Sequence, residues 1–408
     1  MKDSRVNDLM GTNAVDFEDR VDMDRLKTER LGRLREQMSV ADLGGMLLFD
    51  PHNIRYSTGH RFSGAASIRF FLQYAIVPFS GEPVVLGASN EDGSYAMEKG
   101  FCWDFFPCGQ FVEQGAKAWG ERIHSILKEM GIANQRIGLD KLDYYSLGAL
   151  QDQSITIADA RVPLERARAV KTRDEVSLIR QACAIADISI CAVRDAIKPG
   201  VTEDELFAIM TYENLRRGGE HMDVRLMATG TNTNPWTHLA TDRMVRPGEL
   251  VAFDTDMCGP LGYFADFSRT YLCGDGRPNR EQQHAYDVAY NFIYDSLDLF
   301  QPGAAFQEIA EKCPELPEEY KYQRYPMIAH GDGMSDEWPC IYWPDQSWSG
   351  FGNDDDVLQE NMVISLEGLA SKKGGRESVK LEEQLLITAN GPEVLSCAPF
   401  DERFFSAP

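Results

Sequence analysis

The sequence predicts an α/β fold of the α+β kind, arranged as two domains, and three observations carry that prediction. The chain has 408 residues, too many for one typical core. Short apolar runs of strand length alternate with helical patterns from Gly44 onwards. The stretch 161–170 then leads into Lys171-Thr-Arg-Asp-Glu-Val, where Thr172 can cap a long helix, and the domain boundary falls there. The first domain is read as 21–165 and the second as 166–408, with residues 1–20 a polar, acidic arm that is either mobile or crosses to another subunit.

Taken in order, residues 22–40 carry a helical pattern, and Gly44-Gly-Met-Leu-Leu-Phe-Asp-Pro reads as a buried strand ending in a turn. Tyr74-Ala-Ile-Val-Pro-Phe and Pro83-Val-Val-Leu-Gly pair as a hairpin over Ser80-Gly-Glu. Residues 113–131 make an amphipathic helix, and Arg136-Ile-Gly-Leu-Asp is another strand. The Thr172 helix runs to about Ile197, where Pro199-Gly stops it, and Thr202 with Glu205 forms the capping box of the next helix. Met227-Ala-Thr-Gly-Thr-Asn-Thr-Asn-Pro-Trp reads as a loop, and a helical segment at 280–299 divides the apolar strands that follow.

Composition narrows the function. Hydrophobic and charged fractions of 43% and 26% are ordinary for a globular protein. A formal charge of -23, with no Lys/Arg cluster to offset it, speaks against nucleic acid as a partner. No window is read as reaching the ~18 apolar residues of a membrane span. Nine cysteines lack CxxC spacing, and no basic stretch leads into an apolar run near the start, so a cytoplasmic protein with reduced thiols is expected.

The chemistry concentrates in the C-terminal half. Asp254 and Asp256 end the apolar run Leu250-Val-Ala-Phe-Asp-Thr-Asp, Asp266 lies on the next strand, and the turn-rich link between them lets the third acid fold back beside the first two. Glu367 is read as ending Met362-Val-Ile-Ser-Leu-Glu, Glu382 sits in Val379-Lys-Leu-Glu-Glu-Gln-Leu-Leu-Ile, and His330 supplies an imidazole. Solvated surface acids are the plain alternative, but each of these lies in or at the end of an apolar strand pattern, where an unpaired charge is costly. Gathered together they require cations. Two divalent ions about 3.5–4 Å apart meet that requirement, and mostly oxygen donors with one histidine suit manganese, iron, cobalt or zinc alike.

The order Asp, Asp, His, Glu, Glu, with Lys171-Thr-Arg-Asp-Glu-Val-Ser-Leu-Ile-Arg at the head of the second domain, resembles the pita-bread metallopeptidase and creatinase family over nearly the whole chain. The resemblance implies a smaller creatinase-like N-terminal domain and a pita-bread catalytic domain with a curved antiparallel sheet. It also implies a homodimer in which one N-terminal domain contacts the partner's active site. Finer segments are similar to one branch, the dimethylsulfoniopropionate lyases: Phe49-Asp-Pro-His-Asn-Ile-Arg-Tyr, Glu213-Asn-Leu-Arg-Arg-Gly-Gly-Glu, Thr233-Asn-Pro-Trp, His330-Gly-Asp-Gly-Met-Ser-Asp-Glu-Trp-Pro and Lys380-Leu-Glu-Glu-Gln. By that likeness Asp254, Asp256, Asp266, His330, Glu367 and Glu382 are the ligands, iron is the metal, and Tyr325 belongs to the site.

The chemistry of the residues also favours a lyase over a peptidase. Where pita-bread peptidases keep a second histidine, this chain has Asp336 and Glu337, and a carboxylate there suits proton removal better than oxyanion stabilisation. Asp336 is therefore the expected base in a β-elimination that releases dimethyl sulfide and acrylate from a small zwitterionic substrate. A turn in which Asp336 caps a backbone amide is the structural alternative. Sulfonium needs aromatic faces, which Tyr325, Trp236, Trp338, Tyr342 and Trp343 can offer, although core packing competes for each. His238 is read as a further substrate contact, and Asp332, between two glycines, as a loop residue. Two features depart from the lyase pattern, the segment His60 to Phe70, without the tryptophan expected there, and His238 itself. The rival activity is a metallohydrolase of the same fold, of Xaa-Pro dipeptidase, creatinase-like or ectoine type; the non-enzymatic rival is a binding module, against which the intact ligand set argues.

Overall fold

A computed structural model describes residues 21–60, 73–87, 113–346 and 356–405. The expected arm at 1–20 and the departure after His60 lie outside them. The chain divides into two compact units, Asp22–Arg168 and the part from Ala169 onwards.

In the first unit, helix α1 (Met23–Val40) leads into strand β1 (Gly45–Leu48). The segment read as a turn is instead helix α2 (Pro51–Thr58): Asp50 caps it by accepting from the His52 amide, Pro51 opens it, and Gly59 closes it in the left-handed region. Then come β2 (Gln73–Pro78), β3 (Val84–Gly87), α3 (Glu113–Glu129), β4 (Arg136–Leu139), α4 (Tyr144–Asp152), β5 (Thr156–Asp159) and α5 (Arg161–Ala169). The strands form one sheet ordered β3-β2-β1-β4-β5, antiparallel on the β2 side and parallel on the β4 side. Phe49, Tyr74 and Trp119 pack ring to ring in its core.

The second unit opens with α6 (Arg173–Ala196) and α7 (Glu203–Leu215), each started by the expected capping box, Thr172 with Glu175 and Thr202 with Glu205. Helix α6 has the length and apolar composition of a membrane span, contrary to the sequence reading. Its apolar residues, among them Leu178, Ile179, Ile185 and Ile190, are buried within the protein, as in any core helix.

Strands follow in antiparallel pairs. They are β6 (His221–Met222), β7 (Met227–Thr229), β8 (Leu250–Phe253), β9 (Met257–Cys258), β10 (Phe264–Ala265) and β11 (Arg269–Leu272). Part of the expected loop at 227–236 is thus a strand, because Met227–Thr229 pairs with β8. After helix α8 (Arg280–Ser296) comes the larger sheet, ordered β13-β12-β14-β15-β16 from β12 (Met327–Asp332), β13 (Asp336–Tyr342), β14 (Val363–Ala370), β15 (Val379–Thr388) and β16 (Gly391–Val394).

Alternation along β14 and β15 sorts their residues onto two faces. Ile364, Leu366, Leu381 and Leu385 enter the core with Ala289 and Ile293 of α8. Gly368 lies where that helix comes closest: a Cβ there would stand 2.9 Å from the Ala289 carbonyl oxygen and 2.8 Å from Ile293 Cδ1. The opposite face carries Ser365, Glu367, Lys380, Glu382 and Gln384. Short bonds stitch this face to the smaller sheet, with Lys380 N donating to Thr270 Oγ1 at 3.1 Å and Glu382 N to the Ser268 carbonyl at 3.2 Å. Glu367 therefore does not end its strand; Gly368, Leu369 and Ala370 continue the pairing.

Candidate metal centre

Glu367 and Glu382 face each other across β14 and β15, and His330 stands on the neighbouring β12, whose Ala329 pairs with Leu366. Asp254 follows β8 and Asp266 follows β10, so the stitched sheets bring all four acids and the imidazole together. Donor atoms of Asp254, Asp266 and Glu382 lie within 4.8 Å of one another, as do those of His330, Glu367 and Glu382. These two triads share Glu382, the arrangement expected of a carboxylate between two cations. Asp256 is outside both triads but close enough that Asp254 and Asp336 act on it. Its φ of 36° puts a non-glycine residue in the left-handed region, strained backbone of the kind found at functional sites.

The donor set fits metal on its own evidence. Asp256 Oδ2, Asp266 Oδ1 and Glu382 Oε1 are buried and accept no hydrogen bond, a costly state that a cation relieves. Burial, and then neighbouring carboxylates, push Asp256, Asp266 and Glu382 well above the usual carboxylate range, with Glu382 the first neighbour acting on Asp266 and Glu367 the first acting on Glu382. Burial opposes ionisation of Asp254 and Glu367 too, but Lys380 together with Ser268 and Asp266 at the first, and Lys380 together with His330 at the second, holds both low. Lys380 was missed by the sequence reading. Its fully buried ammonium lies 2.7 Å from Glu367 Oε2 and Glu382 Oε2, 3.1 Å from Asp254 Oδ2 and 2.8 Å from Ser268 Oγ.

Asp336 opens β13 rather than forming a turn, and the residue as a whole is exposed although its carboxyl turns inwards. One of its oxygens lies within 4.8 Å of donors from Asp266, His330 and Asp332. Enclosure of the carboxyl and the charge of Asp332, set against His330, raise it to about 6. Asp332 is no loop residue: it ends β12 and is fully buried.

The aromatic candidates divide. Trp236 Nε1 donates to Tyr325 Oη at 2.8 Å, and the Lys380 ammonium lies 5.2 Å from the Tyr325 ring centre. That pair adjoins the acids. Trp338 instead packs in the core against Phe306, and Trp343 against Phe292, because β13 covers the helical side of the unit. His238 is exposed on the segment after Trp236.

Residues 177–389 match metallopeptidase family M24, and residues 30–170 match the creatinase/prolidase N-terminal domain. The chain belongs to family M24. M24 enzymes use a dinuclear divalent metal centre, and the triads above are where this chain's candidate ligands gather. The chain is 32% identical to the dimethylsulfoniopropionate lyase DddP of Roseovarius nubinhibens over 93% of its own length and 87% of that protein's. The Xaa-Pro dipeptidase of Pyrococcus furiosus is 30% identical over 90% of this chain and 97% of that one. Among solved structures, the prolidase of Pyrococcus horikoshii superposes with a TM-score of 0.73 at 21% identity, covering 91% of this chain and 99% of that chain. The architecture is accordingly a creatinase-like N-terminal domain followed by the pita-bread domain.

Proposed function

We propose that this M24 chain is a carbon–sulfur lyase that cleaves dimethylsulfoniopropionate to dimethyl sulfide and acrylate. The observation that carries the reading is Asp336, an exposed residue with a carboxyl oxygen within 4.8 Å of donors from Asp266 and His330. It stands where a base can reach a carbon held beside the centre. Similarity to DddP over nearly the full chain supports the same reading. Asp254, Asp256, Asp266, His330, Glu367 and Glu382 would hold the two metals, for which we propose iron. When bound, such ions act as Lewis acids towards a substrate carboxylate.

The chain's own residues do the rest. Asp336 takes the α-proton, the C–H pair becomes the new double bond, and sulfur leaves with the C–S pair as a neutral thioether, so no acid is needed at the leaving group. Tyr325, fixed by Trp236, presents its ring beside the acids, where an aromatic face contributes roughly 0.5–2 kcal/mol towards a sulfonium. We further propose a cytoplasmic homodimer.

The similarity to Xaa-Pro dipeptidases favours one other reading, hydrolysis of a C–N bond. Headspace detection of dimethyl sulfide from dimethylsulfoniopropionate, run beside proline release from an Xaa-Pro dipeptide with the same metal-loaded protein, separates the two. Gas without proline is the expected result; proline without gas sinks the lyase reading.

A further inference from the structure

The two ring nitrogens of His330 face different surroundings. Nε2 lies 3.4 Å from Glu367 Oε1, 3.6 Å from Asp266 Oδ2 and 3.8 Å from Glu382 Oε1. Nδ1 lies 3.4 Å from Asp332 Oδ1 and 3.3 Å from the Gly331 carbonyl oxygen.

Asp332 is itself held from its other side. Its Oδ2 accepts from Ser365 Oγ at 2.5 Å and from Gln384 Nε2 at 3.0 Å. The opposite end of the Gln384 amide accepts from the Asp266 N–H at 3.3 Å and the Cys183 thiol at 3.0 Å, which fixes which way that amide points. His330, Ser365 and Gln384 stand in register across β12, β14 and β15. Ser365 and Gln384 thus tie Asp332 to the two strands that carry Glu367 and Glu382.

We propose that Asp332 is a positioning residue for the metal centre: it receives the Nδ1–H of His330 and so turns Nε2 towards the ligand carboxylates. A neutral imidazole has one N–H, and acceptors on the Nδ1 side keep it there. Asp332 Oδ1 accepts no other hydrogen bond, and one Asp332 oxygen lies within 4.8 Å of donors from Asp266, His330 and Asp336; its 3.4 Å approach to Nδ1, with Oδ2 taken by two donors, is what favours the positioning role over that of a ligand. The inference concerns how the centre is built and stands whichever reaction the centre performs.

Cobalt(II) alone, titrated into the full-length metal-free protein and followed by visible absorption, tests it. In Asp332→Asn the side-chain NH2 must oppose either the Nδ1–H or the Gln384 NH2, so one contact is always donor against donor. The double variant Asp332→Asn/Gln384→Glu removes that conflict, because the new amide can donate to the carboxylate introduced at position 384 while its oxygen still accepts from Nδ1. The single variant should bind cobalt about 10- to 100-fold more weakly, with an altered visible spectrum and an unchanged far-ultraviolet circular dichroism spectrum. The double variant should recover most of the loss. Unchanged affinity in the single variant, or a loss the double variant does not recover, overturns the proposal.

Discussion

At the scale of single residues, the candidate ligands and the proposed base separate by their surroundings. Asp266 and His330 lie inside the buried cluster, whereas Asp336 stands at its exposed edge. Asp336→Ala should lower elimination by about 10²–10⁴-fold while metal content, read by elemental analysis, and circular dichroism stay near wild type. Asp266→Ala and His330→Ala should lose metal and activity together. An active Asp336→Ala protein would mean that the base is another group. Five of the six ligand candidates are acids in or at the end of apolar runs, which makes them conspicuous in the sequence, and the structure gathers four of them with His330. Asp332 and Lys380 were not legible in this way: a lone acid between glycines and a lysine in a strand have no local signature, and their meaning comes from His330, Ser365 and Gln384 in one case and three carboxylates in the other. Trp338 misled for the same reason, since spacing from His330 says nothing about which side of β13 meets Phe306.

Elements are where periodicity and capping succeeded. Helices α1, α3, α6, α7 and α8 and the β2–β3 hairpin follow from pattern and caps, whereas Asp50-Pro51 signals a turn or a helix start equally well and only the residues beyond decide. Glu367 was expected to end its strand but, like Glu382, sits within one, because polar and apolar alternation lets one face hold the candidate ligands while the other packs on α8. That packing is close at Gly368. Gly368→Ala should destabilise the unit by about 1–3 kcal/mol through overpacking, seen as a lower denaturation midpoint; an unchanged midpoint would show that α8 yields freely.

A second test lies just before β8. Burial would raise the Glu249 carboxyl, but Arg243, bonded at 2.8 and 2.9 Å, outweighs it and holds the group below its usual 4.5. A lowered folded-state value means that the unfolded chain binds the proton more readily, so this contribution is full above about pH 4.5 and fades as pH falls. Glu249→Gln should therefore cost about 1–3 kcal/mol at pH 7 and progressively less below pH 4. A cost independent of pH would remove the ion pair from the explanation.

For the whole molecule, length and the change at Lys171 announced two domains, and the chain divides after Arg168, with α5 crossing the expected boundary. The homodimer is a proposal that light scattering checks directly against twice the 45.9 kDa chain mass.

The Lys380 ammonium also leaves the charge of the cluster unbalanced. Asp254, Asp256, Asp266, Asp332, Asp336, Glu367 and Glu382 give seven acids to this one base, so two divalent ions leave two negative charges uncancelled when all are ionised. A residual field of that sign draws in the positive end of a zwitterion and repels simple anions, and dissolved ions shield it within about 8 Å at physiological strength. Raising sodium chloride should therefore raise KM for a sulfonium substrate while leaving kcat nearly level, and the thioether analogue that keeps the carboxylate but lacks the sulfonium charge should bind more weakly than the substrate.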